Sequence, residues 1–383
     1  MTQVLPVLTG LDTTGDRMGL MPTSDPTIAR VDLVDLPTRY PRTVGRNARL
    51  SSHGSGGTSR VAILRTDTAR TGWGLVEQAP AGDWDGLVVG RAVSELIDPE
   101  SGIREDALGF LDVPLHDLLG QVLDQPVHAV LGSRGETTVE VYDGAIYFDD
   151  LDPDDDPRGG AVLLDQCRAD AALGYRAFKL KIGRGHRWLD RAAGDRRDIE
   201  ITRAVRDAFP TAKILVDAND GYDLDGIRRY LEAVADVGLY WVEEPFTDDA
   251  DDLAELRAQL DAISPATLIA EGETDPDVAS LLPIAGRGHL DVLLMDVMSF
   301  GLSPWRRILP TLVQLGVSAS PHAWGRPLKT IYAAHLAAGL GNVAIVEGVP
   351  GVTDGVDTSA HVFADGRMTL SERPGFGLPV PRT

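Results

Sequence analysis

Cysteine and lysine are nearly absent from this 383-residue chain, and long apolar runs are absent altogether. Cys167 is the single cysteine, so no internal disulfide can form, which fits a cytoplasmic protein. The helical pattern around it, Val162 to Leu173, reads as holding a buried structural thiol and not a nucleophile. No stretch approaches the about 18 consecutive apolar residues that a membrane span requires. Residues Met1 to Gly19 lack a cationic segment followed by an apolar one and are read as a loosely held extension, not a signal peptide. The formal net charge of -22 leaves no basic footprint for nucleic acid or an anionic membrane. A small anionic substrate stays open, because a metal and lysines set the local field of a pocket. The acidic run Asp149 to Asp156 is expected to be a solvated loop.

Only four lysines stand against thirty-two arginines. Two of them, Lys179 and Lys181, share one face of a strand whose other face carries Phe178, Leu180 and Ile182. Arginine stays protonated at any relevant pH, whereas a crowded, partly desolvated lysine can give up its proton. Two lysines on one strand face therefore read as a proton-transfer device. Lys213 and Lys329 fall on or beside helices and are placed outside the barrel, away from the chemistry.

The periodicities predict a four-part chain: an extension (1–27), an α+β capping unit (28–135), a barrel (136–347) and a C-terminal segment (348–383) that returns to the cap. In the cap, strands are expected at Ile28 to Leu36, Thr58 to Thr66 and Gly72 to Ala79. Helices are expected at Asp85 to Ile97 and Ile103 to Leu131, the latter broken near Pro114 and Pro126. A polar loop, Pro37 to Gly57, is long enough to form a mobile lid and carries Arg46, Asn47 and His53 as candidate substrate contacts. From Thr137 onward, short apolar strands alternate with amphipathic helices. Eight strands with seven intervening helices describe an α/β fold, a modified TIM barrel of (β/α)7β form.

Chemistry in such a barrel sits at the carboxyl ends of its strands. Those ends carry Lys179 and Lys181, then Asp217 and Asn219, Glu243 and Glu244, Glu271 and Glu273, Asp296, His322 and Glu347. Converging carboxylates repel one another unless a divalent cation joins them, and hard oxygen ligands suit Mg²⁺. Asp217 and Glu243 are the first choices as ligands. Glu271 and Glu273 have the same pleat parity, so alternation does not choose between them.

The segments Lys179-Leu180-Lys181, Val216-Asp217-Ala218-Asn219, Trp241-Val242-Glu243-Glu244-Pro245, Ile269-Ala270-Glu271-Gly272-Glu273, Ser320-Pro321-His322 and Val346-Glu347-Gly348, with Asp296, resemble the enolase superfamily in its mandelate racemase subgroup. The resemblance implies that Asp217, Glu243 and Glu273 bind Mg²⁺ and that an enediolate forms when the α-proton of a carboxylate leaves. It further implies Lys181 as base, with Lys179 lowering its pKa. His322 would be the opposite acid or base, oriented by Asp296. Glu347 would donate a hydrogen bond if protonated, and Asn219 would contact substrate. Two departures border the pocket: Phe300-Gly301 replaces a Gly-Gly pair, and the stretch Gly183 to Gly194 is long. The implied reaction is dehydration of an acid sugar to a 2-keto-3-deoxy acid, with racemisation or epimerisation of an α-hydroxy acid as the alternative. The expected partners are a small carboxylate and further copies of the chain in a homo-oligomer. A Schiff-base aldolase would leave the ring of carboxylates unexplained.

Overall fold

The computed structural model describes residues 25–382, except 78, 80–83, 153–155 and 275. The expected 1–27 extension therefore lies almost entirely outside the described residues.

Eight short strands form the barrel: Thr138–Ile146, Ala177–Lys181, Lys213–Asp217, Trp241–Glu243, Leu268–Glu271, Val292–Leu293, Ser318–Ala319 and Val346–Gly348. The first seven pair in parallel in chain order, and the eighth pairs with the first. A parallel bridge between Ala319 and Val343 closes the remaining gap. Seven helices connect the strands, from Ala161–Leu173 to Pro327–Leu340. Strand alternation sorts the side chains. Phe178, Ile214, Val216, Val242 and Leu293 join the layer under the helices, while Tyr142, Leu215, Trp241, Ala270, Val292 and Leu294 fill the barrel interior. Complete burial of each large side chain contributes about 1.5–3 kcal/mol, so the interior forms a rigid floor under the strand ends. No helix among the described residues is long and apolar enough to cross a membrane.

The cap differs from the sequence expectation in four places. Its first two strands extend to Ile28–Val44 and Gly54–Thr66, paired antiparallel, so the expected 37–57 lid is mostly a two-stranded arm with a turn at 45–53. The arm is polar on both faces, which hides it from a search for apolar alternation. Close strand approach selects its glycine: a Cβ on Gly56 would lie 2.0 Å from the Thr38 carbonyl oxygen. The expected Asp85–Ile97 helix reduces to a 3-10 turn, Asp85–Leu87, and a single turn, Val93–Leu96. Val88 and Val89 resist helix, and Gly90 between them and the second turn has φ 84°. The third strand stops at Leu75 instead of Ala79. The expected Ile103–Leu131 helix becomes a 3-10 stretch, Asp106–Leu111, a helix Asp112–Leu123 that Pro114 in its first turn does not break, and a short helix Val127–Val130, the two separated where Asp124 turns left-handed ahead of Pro126.

The acidic run is not a solvated loop throughout. Asp149 and Asp150 are fully buried, and Asp150 accepts from the equally buried Arg184, whose Nη1 donates to Asp198 at 2.6 Å. Arg184 also reaches the Lys181 carbonyl and stacks over Phe148. Replacing it with methionine strands two buried carboxylates. Arg184→Met is expected to lower stability by about 3–5 kcal/mol, read as a lower urea midpoint at unchanged slope.

The C-terminal segment returns to the cap. Val352–Thr353 pairs with Thr38 and Arg39 of the long first strand, and the Leu378 carbonyl accepts from Trp73 Nε1. Three buried histidines lie where this segment meets the helices: His128 and His335, with ring centroids 5.4 Å apart, and His361, 5.8 Å from His335. Burial holds His335 well below the usual imidazole range, and its histidine neighbours add to this. A depressed folded-state pKa gives stability that is complete above the unfolded value of about 6.5 and lost as pH falls toward the folded one. Each pH unit below about 6.5 should cost up to about 1.4 kcal/mol for this residue. Asp117, raised by burial to about 7, acts in the opposite direction over the same range. The measurement is therefore the difference in thermal stability between wild type and His335→Gln from pH 7 to 5, which should narrow with acidification.

Candidate active site

The second barrel strand turns Lys179 and Lys181 inward, 1% and 3% exposed. Lys179 Nζ donates to Glu243 Oε1 at 2.7 Å and lies 3.0 Å from Glu347 Oε1 and 3.2 Å from Asp217 Oδ2. Lys181 Nζ donates to the same Asp217 Oδ2. The two amines also face the rings of Tyr142 and Tyr147, at 5.5 and 5.2 Å from the centroids. Asp217 Oδ1 accepts from the Asn219 amide, and Glu243 Oε2 accepts from Trp241 Nε1 of the barrel floor.

Carboxylate oxygens of Asp217, Glu243 and Glu273 lie within 4.8 Å of one another, the only such group able to hold a metal among the described residues. Glu273 Oε2 is buried with no hydrogen-bond partner. Three hard anionic oxygens this close, one of them orphaned, fit a divalent cation such as Mg²⁺. The choice that pleat parity left open is decided by Gly272. Its φ of 105° breaks the alternation after the strand, so Glu273 joins the cluster. Glu271 is buried elsewhere, and burial, with Asp248 and Glu244 nearby, raises its pKa well above the usual carboxylate range. Glu244 faces away from Glu243, accepting from Asn219 Nδ2 and the Thr274 amide. Burial, with Glu273 and Asp217 close by, raises it to about 8.

One electrostatic expectation is present but outweighed, and another is corrected. Burial and Lys179 do lower the Lys181 pKa, but Asp217, Tyr147 and Glu273 outweigh them, so the net direction is upward. Glu347 is not a protonated donor. Burial raises it, yet Lys179 and His322 hold it below the usual range, and its Oε2 accepts from the Ala323 amide at 2.7 Å. Its place requires Gly144 on the first strand, where a Cβ would lie 2.6 Å from Glu347 Oε1.

On the other side of the cluster, His322 Nε2 is 3.2 Å from Glu273 Oε1 and 3.7 Å from Glu347 Oε2. Its Nδ1 is 2.9 Å from Asp296 Oδ2. Burial alone would depress the imidazole, but Glu273, Glu347 and the Asp296 hydrogen bond raise it to about 9. Lys181 thus meets one end of the carboxylate triad, at Asp217, and His322 meets the other, at Glu273.

The lid residues divide. His53 Nδ1 donates to the Gly45 carbonyl at 2.8 Å, and its ring meets Tyr147 at 4.7 Å and Trp324 at 6.2 Å, within the field of Lys181 and Glu273. Asn47 uses its side-chain oxygen to accept from the Arg49 and Leu50 amides. Arg46 pairs with Asp152 and stacks over Trp188. His53 is therefore brought to the cluster, whereas Asn47 and Arg46 hold the turn and its neighbours. Asn219 keeps a buried, unpartnered Oδ1.

The sequence reading misplaced Lys329. It is 5% exposed and pairs at 3.0 Å with both Asp296 and Glu77. The signal was present: it is one of four lysines in an arginine-rich chain. Lys213 does lie away from the chemistry, paired with Glu140 beneath the barrel.

Comparison with known proteins adds to this geometry. Residues 162–382 match the family described as enolase C-terminal domain-like. A curated L-Lys-D/L-Arg epimerase of Methylococcus capsulatus is 29% identical over 72% of this chain and 72% of its own length. A D-galactarolactone cycloisomerase of Agrobacterium fabrum is 27% identical over 74% of each chain. The crystal structure of galacturonate dehydratase from Geobacillus sp., complexed with D-galacturonate and 5-keto-4-deoxy-D-galacturonate, superposes with a TM-score of 0.86 at 31% identity, over 93% of this chain and 94% of that one.

Proposed function

Because the chain belongs to the enolase superfamily, we propose that it removes the proton α to the carboxylate of an acid sugar and expels the β-hydroxyl as water. The observation that carries this reading is the placement of Lys181 and His322 at the two ends of one carboxylate triad. A proton can leave one side of a substrate held there and a proton can be supplied on the other. In this proposal Asp217, Glu243 and Glu273 hold Mg²⁺. The cation would take up the charge that keeps Lys181 protonated and offset the charge developing on the substrate carboxylate.

Lys181 then acts as the base at the α-carbon. Lys179, held between Glu243 and Glu347, keeps its proton and places a fixed positive charge beside the carboxylate. His322, whose Nδ1 faces Asp296 Oδ2 at 2.9 Å, is placed as the acid that delivers a proton from Nε2 to the leaving hydroxyl. Glu347 accepts hydrogen bonds from the substrate side of the site, and Asn219 Oδ1 and His53 offer contacts for hydroxyl groups. The product is a 2-keto-3-deoxy acid.

A second reading, epimerisation, is favoured by the same two-sided arrangement and by the similarity to an epimerase. Proton NMR in D₂O with Mg²⁺ and a pool of mono- and diacid sugars separates the two. Loss of an α-proton signal with new 3-deoxy methylene peaks is the expected result, and EDTA should abolish it. Exchange without a new carbon skeleton would replace dehydration by epimerisation. Turnover that survives EDTA would overturn the metal assignment.

A further inference from the structure

We propose that Lys329 is a positioning residue for the histidine side of the site, and that through it the docking of Glu77 sets the orientation of the His322 imidazole. The inference rests on the proton-transfer role given to His322 above. Lys329 Nζ lies 3.0 Å from Glu77 Oε1 and 3.0 Å from Asp296 Oδ2. That same Oδ2 is the atom facing His322 Nδ1 at 2.9 Å. The other oxygen, Oδ1, accepts from the Met298 amide at 2.7 Å and the Ser299 amide at 2.9 Å. Four donors use the lone pairs of one carboxylate, which leaves Asp296 a single orientation. The imidazole inherits it, with Nδ1 on Asp296 and Nε2 toward Glu273.

The location is an expensive one for an ammonium group. Lys329 is nearly buried and falls in the first turn of Pro327–Leu340, the helix end that repels cations. Two carboxylates from distant parts of the chain offset this. Asp296 follows the sixth barrel strand, and Glu77 follows the third strand of the cap. The ammonium reaches both within hydrogen-bond distance. Without Glu77 the ammonium is tethered to Asp296 alone and is free to draw that carboxylate off the imidazole. The bridge therefore makes the alignment of His322 depend on the cap.

The test uses full-length, ¹⁵N-labelled protein in six forms: wild type, Lys329→Met, Glu77→Ala, Glu77→Gln, His322→Asn and the double variant Glu77→Ala with Lys329→Met. The low-field imidazole N–H resonance missing from His322→Asn is that of His322 Nδ1. It should be lost to exchange in Lys329→Met and Glu77→Ala. Glu77→Gln, which keeps an oxygen toward Lys329, should retain it. With a turned-over substrate, kcat should fall about 10- to 100-fold in the first two variants, as expected on removing a supporting partner. KM should stay within about twofold, and the double variant should be no worse than Lys329→Met. Retention of the resonance in both Lys329→Met and Glu77→Ala would overturn the inference whatever turnover does. Glu77 is one-third exposed, so its variants decide the matter even if Lys329→Met does not fold. Absence of turnover with every acid sugar would count against the reaction, while the resonance pattern still tests the bridge.

Discussion

Lys181→Ala should lower kcat by about 10²- to 10⁴-fold, the usual contribution of a positioned acid or base, while Mg²⁺ and substrate still bind. Lys181 Nζ pairs with Asp217 and faces the Tyr147 ring. The informative companion is Lys181→Arg. Arginine preserves the positive charge beside Asp217 but does not give up a proton near neutral pH. If Lys181 serves as a base, both variants are inactive. If it serves only as a counter-ion, the arginine variant recovers. Turnover is read from keto-acid formation and binding by calorimetry, and more than about a tenth of wild-type kcat in Lys181→Arg would remove the base assignment. His322→Asn supplies the complementary half. With the acid lost, exchange of the α-proton into D₂O persists while water is no longer expelled.

The second large effect concerns the carboxylates. Glu243→Gln removes one of three anionic oxygens that lie within 4.8 Å of each other and should weaken Mg²⁺ binding by on the order of 100-fold, about 2.7 kcal/mol. Activity falls with it. Glutamine keeps the shape and can still accept from Trp241 Nε1, and Lys179 retains Asp217 and Glu347 as counter-ions, so the fold should persist. Glu271→Gln is the control. Its carboxyl is already held toward the neutral form by burial and faces Asp248 instead of the triad, so Mg²⁺ affinity should be unchanged. Equal losses in the two variants would mean that the cation is not held by the oxygens the geometry selects. Both are measured by isothermal titration with MgCl₂ alone, which needs no substrate.

The barrel was legible because its strands are covered on both sides. Ile214 to Asp217 and Trp241 to Glu243 read as short apolar runs that close on a charged residue, and each appears within a residue or two of its expected place. The carboxylate triad followed from the same rule, up to the choice between Glu271 and Glu273, where the resemblance pointed toward Glu273 and the φ of Gly272 explains why. The polar arm was not legible, since strands without a buried face leave no alternation in the sequence. Lys329 was lost to a different error. A helix on the outside of a barrel begins at the same end where the preceding strand finishes, so its first turn borders the chemistry even though the rest of it does not. The directions of the Lys181 and Glu347 shifts depend on which charges meet in space, which no linear pattern reports.

The stitching of the C-terminal segment to the cap has a consequence for recombining this protein with its relatives. Thr353 and Val352 pair with Thr38 and Arg39, Trp73 bonds to Leu378, and the Phe376 amide donates to Asp117. A chimera that imports a foreign cap as residues 28–135 alone would place a mismatched seam across all of these bonds and leave the buried Phe376 amide without the Asp117 acceptor. The transferable module is discontinuous, the N-terminal strands together with the tail from about residue 348. Specificity in such a library would travel only when both pieces move as one.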